Sequence, residues 1–172
     1  MSGIIAKDLT ILRGGKEVVS RSSFSIPHAA TCAVIGPNGS GKSSILHAIS
    51  GVLDYTGELS VEGKSPTEAL RDIAYVLQYM PVTPGVPLTV REVVRMGRYP
   101  SRGLLGRLGP IDRERVDQAM AKLGISDLAS RNIGELSGGQ RQRVFVAQAL
   151  AQDHNILFWM SPSRVWTCPP PE

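Results

Sequence analysis

Two short runs in this chain have the residue types and spacing of phosphate-binding segments. The first is Gly36-Pro37-Asn38-Gly39-Ser40-Gly41-Lys42-Ser43, which matches the pattern G-x-x-x-x-G-K-[ST]. The second, much later in the chain, is Leu136-Ser137-Gly138-Gly139-Gln140. Either run alone carries a risk of a false match. Both together, in this order, predict a protein that binds the phosphates of a nucleotide.

The glycines and the lysine of the first run determine its chemistry. Successive backbone N–H groups bind a polyphosphate without burying many counter-charges, and glycine lets the backbone approach closely. We expect Lys42 to reach the β- and γ-phosphates as a catalytic group and Ser43 to ligate Mg²⁺. The other predicted contact residues are Gly36, Pro37, Asn38, Gly39, Ser40, Gly41 and Ser44. The alternative is a glycine turn that merely leads into a helix.

The second run is expected to open a helix. The free N–H groups of its first turn, the Ser137 hydroxyl and the helix dipole would form an anion site. The predicted contact residues of this site are Ser137, Gly138, Gly139 and Gln140. The alternative is a glycine-rich helix cap without a ligand.

Hydrophobic periodicity predicts the elements that position these runs. Strands are expected at 4–12, 18–19, 23–26, 31–35, 73–77 and 155–159, with a hairpin-like piece at 57–64. Helices are expected at 42–49, 89–96 (Thr89 as cap), 112–123 and from Ser137 onward, and 97–110 is expected to be a loop. The run 31–35 is continuously apolar, which is typical of a buried parallel strand, and it leads directly into the glycine loop. The alternation of strands and helices predicts an α/β core.

Length, composition and charge limit the possible classes of protein. The chain has 172 residues, 42% hydrophobic and 20% charged, which fits one globular domain. It contains neither an apolar run long enough for a membrane span nor a recognisable signal peptide, so a cytosolic location is expected. The net charge is +4, but its arginines lack interleaved aromatics: Arg91, Arg95, Arg98, Arg102 and Arg107. A solvated or partner-contacting face is therefore favoured, and no nucleic acid is expected.

The cysteines and histidines predict neither a disulfide nor a metal site. Cys32 lies in an apolar run and is interpreted as a small core residue, whereas Cys168 lies near the end of the chain. Their separation and the expected reducing compartment argue against a disulfide. The three histidines show no metal-ligand spacing.

The two glycine-rich runs make the chain resemble the ATP-binding subunit of ABC transporters, from the first strand to about Phe158. The resemblance implies a P-loop NTPase core with parallel strands, a small antiparallel β layer and a helical subdomain at about 88–149. The ATP-binding domain would cover 1–158 and be incomplete at its C-terminus. ATP and Mg²⁺ are the implied cofactors.

The resemblance also implies roles for single residues. Gln78, followed by Met80-Pro81, looks like the family's glutamine loop, whose glutamine touches Mg²⁺ and the attacking water and whose loop contacts a membrane permease. Without the resemblance, Gln78 would be interpreted as satisfying a loop carbonyl. The serine-glycine run would complete the site of a second ATP-binding subunit in a head-to-tail dimer, supported by Arg141 and Arg143. Arg13 stands where the family usually has an adenine-stacking aromatic residue.

The resemblance breaks in the segment after Phe158. The family continues its strand with Asp-Glu-Pro, whereas this chain has Met160 and Ser161 in place of both carboxylates. Trp159 and Met160 each have one codon, and a reading that starts from the last base of Trp159 spells Asp, Glu and Pro when Ser161 is encoded by AGC. We therefore hypothesise that a base is missing near codon 159, so that 159–172 is an aberrant, out-of-frame tail. Resequencing this region tests the hypothesis.

The leading functional hypothesis is the ATP-binding subunit of an ABC importer, peripheral on the inner face of the cell membrane. The stretches 88–99 and 103–106 resemble importers of manganese, zinc, iron or iron chelates. One alternative is a non-hydrolysing nucleotide-binding fragment or pseudogene product, since Met160 and Ser161 replace the catalytic pair. Another is a soluble ABC ATPase of DNA repair or translation. Such proteins usually carry two cassettes, coiled coils or zinc cysteines.

Overall fold

The computed structural model of the chain describes residues 3–76, 86–102 and 107–159. The chain folds as two units, one formed by residues 1–73 and the other by residues 74–172.

An antiparallel sheet of three strands forms the framework of the first unit. Its strands are β1 (Ile4–Arg13), β2 (Lys16–Ile26) and β3 (Tyr55–Val61), in the order β2-β1-β3. Ile4 of the central strand pairs with Ile26 on one side and with Val61 on the other. Leu9 and Ile11 of β1 are fully buried, because one face of the sheet is covered while the other faces solvent.

Helix α1 (Lys42–Ile49) packs on this sheet and follows the glycine loop without a break. Its buried residues Ala48 and Ile49 anchor it, and Gly51 follows its end with a positive φ of 68°. A short helix α2 (Pro66–Ala69) and a 3₁₀ turn (Leu70–Asp72) complete the unit.

Four α-helices lie in the described residues of the second unit. They are α3 (Val90–Met96), α4 (Tyr99–Arg102), α5 (Pro110–Lys122) and α6 (Gly138–Ala151). Helices α3, α5 and α6 share a core that includes Val94, Val116 and Val144. Strand β4 (Ile73–Val76) pairs with β5 (Ile156–Trp159) in a separate two-stranded sheet, in which Tyr75 meets Phe158 edge to face.

A buried ion pair ties the ends of these helices together. The Arg98 guanidinium Nε lies 2.9 Å from Asp112 Oδ1, and their side chains are 8% and 0% exposed. Arg98 also donates to the carbonyls of Ala151 and Gln152 at the end of α6, at 2.7 and 3.1 Å. Asp112 accepts from the Gly109 N–H at the start of α5. The expectation that Arg98 lies on a solvated or partner-facing surface is wrong, because this carboxylate and these carbonyls replace water around its charge.

The helix predictions are largely confirmed. Helix α1 has the predicted bounds, Thr89 caps α3, the helix expected at 112–123 runs over Pro110–Lys122, and α6 begins directly after Ser137, the predicted start. The loop expected at 97–110 contains helix α4, which corrects that prediction. The strand predictions are less accurate. The pieces 18–19 and 23–26 form one strand, β2. The hairpin-like piece at 57–64 is confirmed in part, since Val61 forms an antiparallel bridge with Lys64, but most of its residues belong to β3, which pairs with the distant β1.

The predicted strand at 31–35 is absent from the structure. These residues have no regular secondary structure and are exposed, with Val34 42% and Ile35 85% accessible. Cys32 is likewise exposed, so its assignment to the core is wrong. The reason is that a strand needs a hydrogen-bonded neighbour, and none of the strands in the described residues pairs with 31–35.

Candidate functional site

The glycine loop ends at an uncapped helix N-terminus. Gly41 is the N-cap of α1 and has no side chain that could accept a hydrogen bond from the first turn of the helix. Helices α3 and α6, in contrast, begin with side-chain caps from Thr89 and Ser137. The first N–H groups of a helix have no intrahelical acceptor, and the helix dipole favours an anion there. The start of α1 is therefore chemically suited to phosphate oxygens.

Lys42 bends back over this loop. Its ammonium Nζ donates to the carbonyl oxygens of Gly36 and Pro37, at 2.8 and 2.6 Å. Ser40 N–H donates to the same Pro37 carbonyl at 3.3 Å and closes a tight turn. These contacts hold a positive charge above the helix N-terminus, where a phosphate could replace the carbonyls as a stronger, charge-assisted acceptor.

Position 41 requires glycine, both for its backbone conformation and for the close approach of strand β2. Its φ of 86° lies in the left-handed region, and a Cβ there would come within 2.6 Å of Val19 Cγ2 and 2.7 Å of the Val18 carbonyl oxygen. Strand β2 thus holds the loop at its junction with α1. Ser43 is exposed on the first turn of α1, and Ser44 beside it is buried. The Ser43 hydroxyl is therefore the one of the two available to a metal–phosphate complex.

Ser137 begins α6 in a complete capping box. Its hydroxyl accepts from Gln140 N–H at 3.3 Å, and the Gln140 Oε1 accepts from Ser137 N–H at 3.0 Å. The prediction of a helix at this point is confirmed, but the hydroxyl and the Gln140 side chain are both engaged within the helix. The serine would have to give up or share this contact to bind an anion.

Gly138 and Gly139 are exposed and have open space around them. A Cβ built at either position meets nothing within 4 Å, and neither has a positive φ. The fold itself therefore does not require glycine here. An external group that approaches the backbone closely would require it.

Of the remaining predicted site residues, the structure describes the arginines. Gln78 lies outside the described residues, as do Met160 and Ser161. Arg13 ends β1 and is exposed, paired in register with Lys16. Arg141 donates to the Leu136 carbonyl at 3.3 Å, and Arg143 to the Leu123 carbonyl at 3.5 Å.

The phosphate loop lies in the first unit and the serine-glycine run in the second. Each of these two candidate phosphate-binding runs is therefore built from consecutive residues of a single unit. No helix in the described ranges combines the length and the apolar character needed to span a bilayer.

Sequence reasoning missed two sets of residues around these elements. The contacts of Arg98 with Asp112 and with the Ala151 carbonyl give no local signal, because these partners lie 14 and 53 residues away in the chain. Glu92 completes a capping box with Thr89, and the spacing T-x-x-E could have revealed it. Its carboxylate accepts from the Thr89 N–H and hydroxyl, and these bonds lower the pKa of Glu92.

Comparisons with known proteins identify the family of this chain. The family model described as "ABC transporter" matches residues 19–163. The zinc transport system ATP-binding protein TroB of Treponema pallidum (strain Nichols) is 42% identical over 156 residues, which are 90% of this chain and 59% of TroB. The manganese transport system ATP-binding protein MntB of Halalkalibacterium halodurans is 36% identical over 163 residues, 94% of this chain and 65% of MntB.

The fold also matches solved structures. The ADP conformation of MJ1267, an ATP-binding cassette of an ABC transporter, superposes with a TM-score of 0.74 at 25% identity, over 91% of this chain and 67% of that one. The chain spans less than two thirds of the length of both curated relatives. From the family match, the relatives and the shared fold, we conclude that this chain belongs to the ABC transporter family and has the fold of its P-loop ATPase domain.

Proposed function

We propose that this chain binds Mg-ATP through residues 36–44, as part of the ATP-binding subunit of an ABC importer. The single observation that carries the proposal is the uncapped start of α1, with Lys42 held over it by two carbonyls. Lys42 would exchange these carbonyls for the β- and γ-phosphates. Ser43 and Gln78 would hold Mg²⁺, which neutralises the developing charge during phosphoryl transfer.

We further propose that the run 137–140 completes the ATP site of a second subunit in a head-to-tail dimer. The open space at Gly138 and Gly139 supports this, because no atom of the described residues would lie within 4 Å of a Cβ there, apart from those of the chain neighbours and of the helix's own backbone. Arg141 and Arg143 would support the interface. The loop after Gln78 would contact the permease, which would place the protein on the cytoplasmic face of the membrane. The ATP-binding domain would extend over 1–158, with its helical subdomain at about 88–149.

The transported solute is proposed from the relatives. TroB and MntB are named for zinc and manganese transport, so metal ions or metal chelates are the proposed cargo. Hydrolysis is proposed for the intact parent protein. A non-hydrolysing form of this particular chain is the second candidate, because Met160 and Ser161 stand in place of the metal-holding aspartate and the catalytic glutamate.

Calorimetric titration with Mg-ATP tests the central proposal. Lys42→Ala is expected to weaken binding at least about tenfold, since it removes charge-assisted hydrogen bonds to phosphate. Lys122→Ala, a change at an exposed lysine of α5, is the matched control and should bind as the unaltered chain does. If both variants bind Mg-ATP equally well, the loop is not the nucleotide site. A separate assay of phosphate release by the purified chain distinguishes the two candidates: release indicates hydrolysis, and binding without release indicates the non-hydrolysing form.

A further inference from the structure

Two segments of the second unit are joined by a backbone bridge immediately before the serine-glycine run. Val90 N–H donates to the Arg131 carbonyl at 3.0 Å, and Arg91 N–H donates to the Ala129 carbonyl at 3.0 Å. Ile133 N–H donates in the opposite direction, to the Leu88 carbonyl at 2.9 Å. We call this set of bonds between residues 86–91 and 129–134 the 86–134 bridge.

Asn132 is the one side chain that hydrogen-bonds on both sides of the 86–134 bridge among the contacts of the described residues. Its Oδ1 accepts from Gly134 N–H at 2.8 Å and caps the 3₁₀ turn Ile133–Glu135. Its Nδ2 donates to the Val86 carbonyl at 3.4 Å, and its backbone forms an antiparallel bridge with Thr89. An amide is well suited to this position because it carries both an acceptor and donors.

The turn capped by Asn132 leads directly to Ser137. Ile133 and Leu136 are 1% and 5% exposed and anchor the turn in the helical core. Arg141 of α6 reaches back to the Gly134 and Leu136 carbonyls at 3.5 and 3.3 Å. The turn before the serine-glycine run is therefore held by its own buried side chains and by Arg141 of the helix that follows. Upstream, Val86 follows Gln78 closely in the chain.

We propose that Asn132 is a positioning residue that sets the placement of Ser137, Gly138 and Gly139 for the nucleotide of a second subunit, by joining their turn to Val86. The inference rests on the proposed function, because positioning the run 137–140 matters only if that run binds the nucleotide of a second subunit. Asn132 itself touches no nucleotide in this scheme. A change there should alter association of the subunits and leave nucleotide affinity of the single chain intact.

The test uses the full chain and pairs each variant with a control. Asn132→Ser keeps an oxygen that can cap the turn but is too short to reach Val86, and Asn155→Ser is the control at an exposed asparagine. Val90→Pro removes the N–H that donates to Arg131. Proline is compatible with this first helical position, and Thr89 before it has an extended ψ of 156°. Val90→Ala controls for the lost side chain.

Two measurements are made on each variant. Amide hydrogen exchange over 132–140 is expected to rise about fivefold or more in Asn132→Ser and Val90→Pro relative to their controls, since a lost hydrogen bond loosens the turn. Mg-ATP-dependent dimerisation, followed by sedimentation, should weaken about tenfold, while the affinity of the single chain for a fluorescent ATP analogue stays within about twofold.

The outcomes separate the two proposals. Unchanged exchange, or dimerisation equal to that of the controls, would overturn the role of Asn132. Equal losses of analogue affinity and dimerisation would also overturn it, because they indicate general destabilisation. If the unaltered chain binds the analogue but does not dimerise, the dimer part of the proposed function fails, and the exchange data alone then decide whether Asn132 holds the turn.

Discussion

Gly138→Ala separates the structural from the recognition role of the serine-glycine run. Gly138 is the first residue of α6, its φ lies outside the left-handed region, and a Cβ there meets nothing within 4 Å. Alanine is a better helix former than glycine and restricts the unfolded chain more. The free energy of unfolding should therefore stay the same or rise by up to about 1 kcal/mol.

The same methyl group should impair recognition of a second subunit. If a nucleotide phosphate approaches the Gly138 backbone closely, the added methyl overpacks that contact at a cost of about 1–3 kcal/mol. This corresponds to a loss in Mg-ATP-dependent association of about five- to 150-fold. The variant should thus be at least as stable as the unaltered chain and yet associate poorly.

Urea denaturation and sedimentation with and without Mg-ATP measure the two quantities on the same samples. Gly109→Ala is the control, because Gly109 is the N-cap residue directly before α5 and its Cβ would meet only Asp112 Oδ2, at 3.9 Å, among the described residues. This control should leave association unchanged. Undiminished association of Gly138→Ala would refute the reasoning, and so would a large loss of stability, which would show that the fold does need glycine there.

Three further changes test the structural account. Gly41→Ala should destabilise the chain by at least about 1–2 kcal/mol in urea denaturation, since its left-handed backbone alone costs that much, and an unchanged free energy of unfolding would contradict this account. Arg98→Leu should cost about 3–5 kcal/mol because it removes one partner of a buried ion pair. Adding Asp112→Leu should recover part of that loss, and strictly additive losses would contradict the pairing. The bonds from Thr89 lower the pKa of Glu92 in the folded chain. The contribution of the Glu92 carboxylate to the stability of the fold is therefore complete above the ordinary pKa of a glutamate and is lost as pH falls through the lower folded value. The melting temperature should therefore fall less between about pH 5 and pH 3 in Glu92→Gln than in the unaltered chain, and parallel curves would contradict this role.

The sequence alone determined the local parts of both candidate sites. Helix α1 has the predicted bounds, α3 begins after its predicted cap, Thr89, and α6 begins directly after Ser137, the predicted start of that helix. These features depend on residues only a few positions apart, such as a cap and the first turn that it satisfies. The glycine loop and the serine-glycine run are recognisable for the same reason: each is a continuous stretch of backbone whose chemistry lies in its own residues.

Only the tertiary structure decided which distant segments meet. The run 31–35 is as apolar as a buried strand, yet it forms none, because hydrogen-bonded neighbours and not composition make a strand. Arg98 has the sequence signature of a surface arginine and is buried by Asp112 and the end of α6. Asn132 gained its place from the pairing of 86–91 with 129–134. In each case the outcome depends on whether segments far apart in sequence pack against one another, and a local sequence pattern does not contain that information.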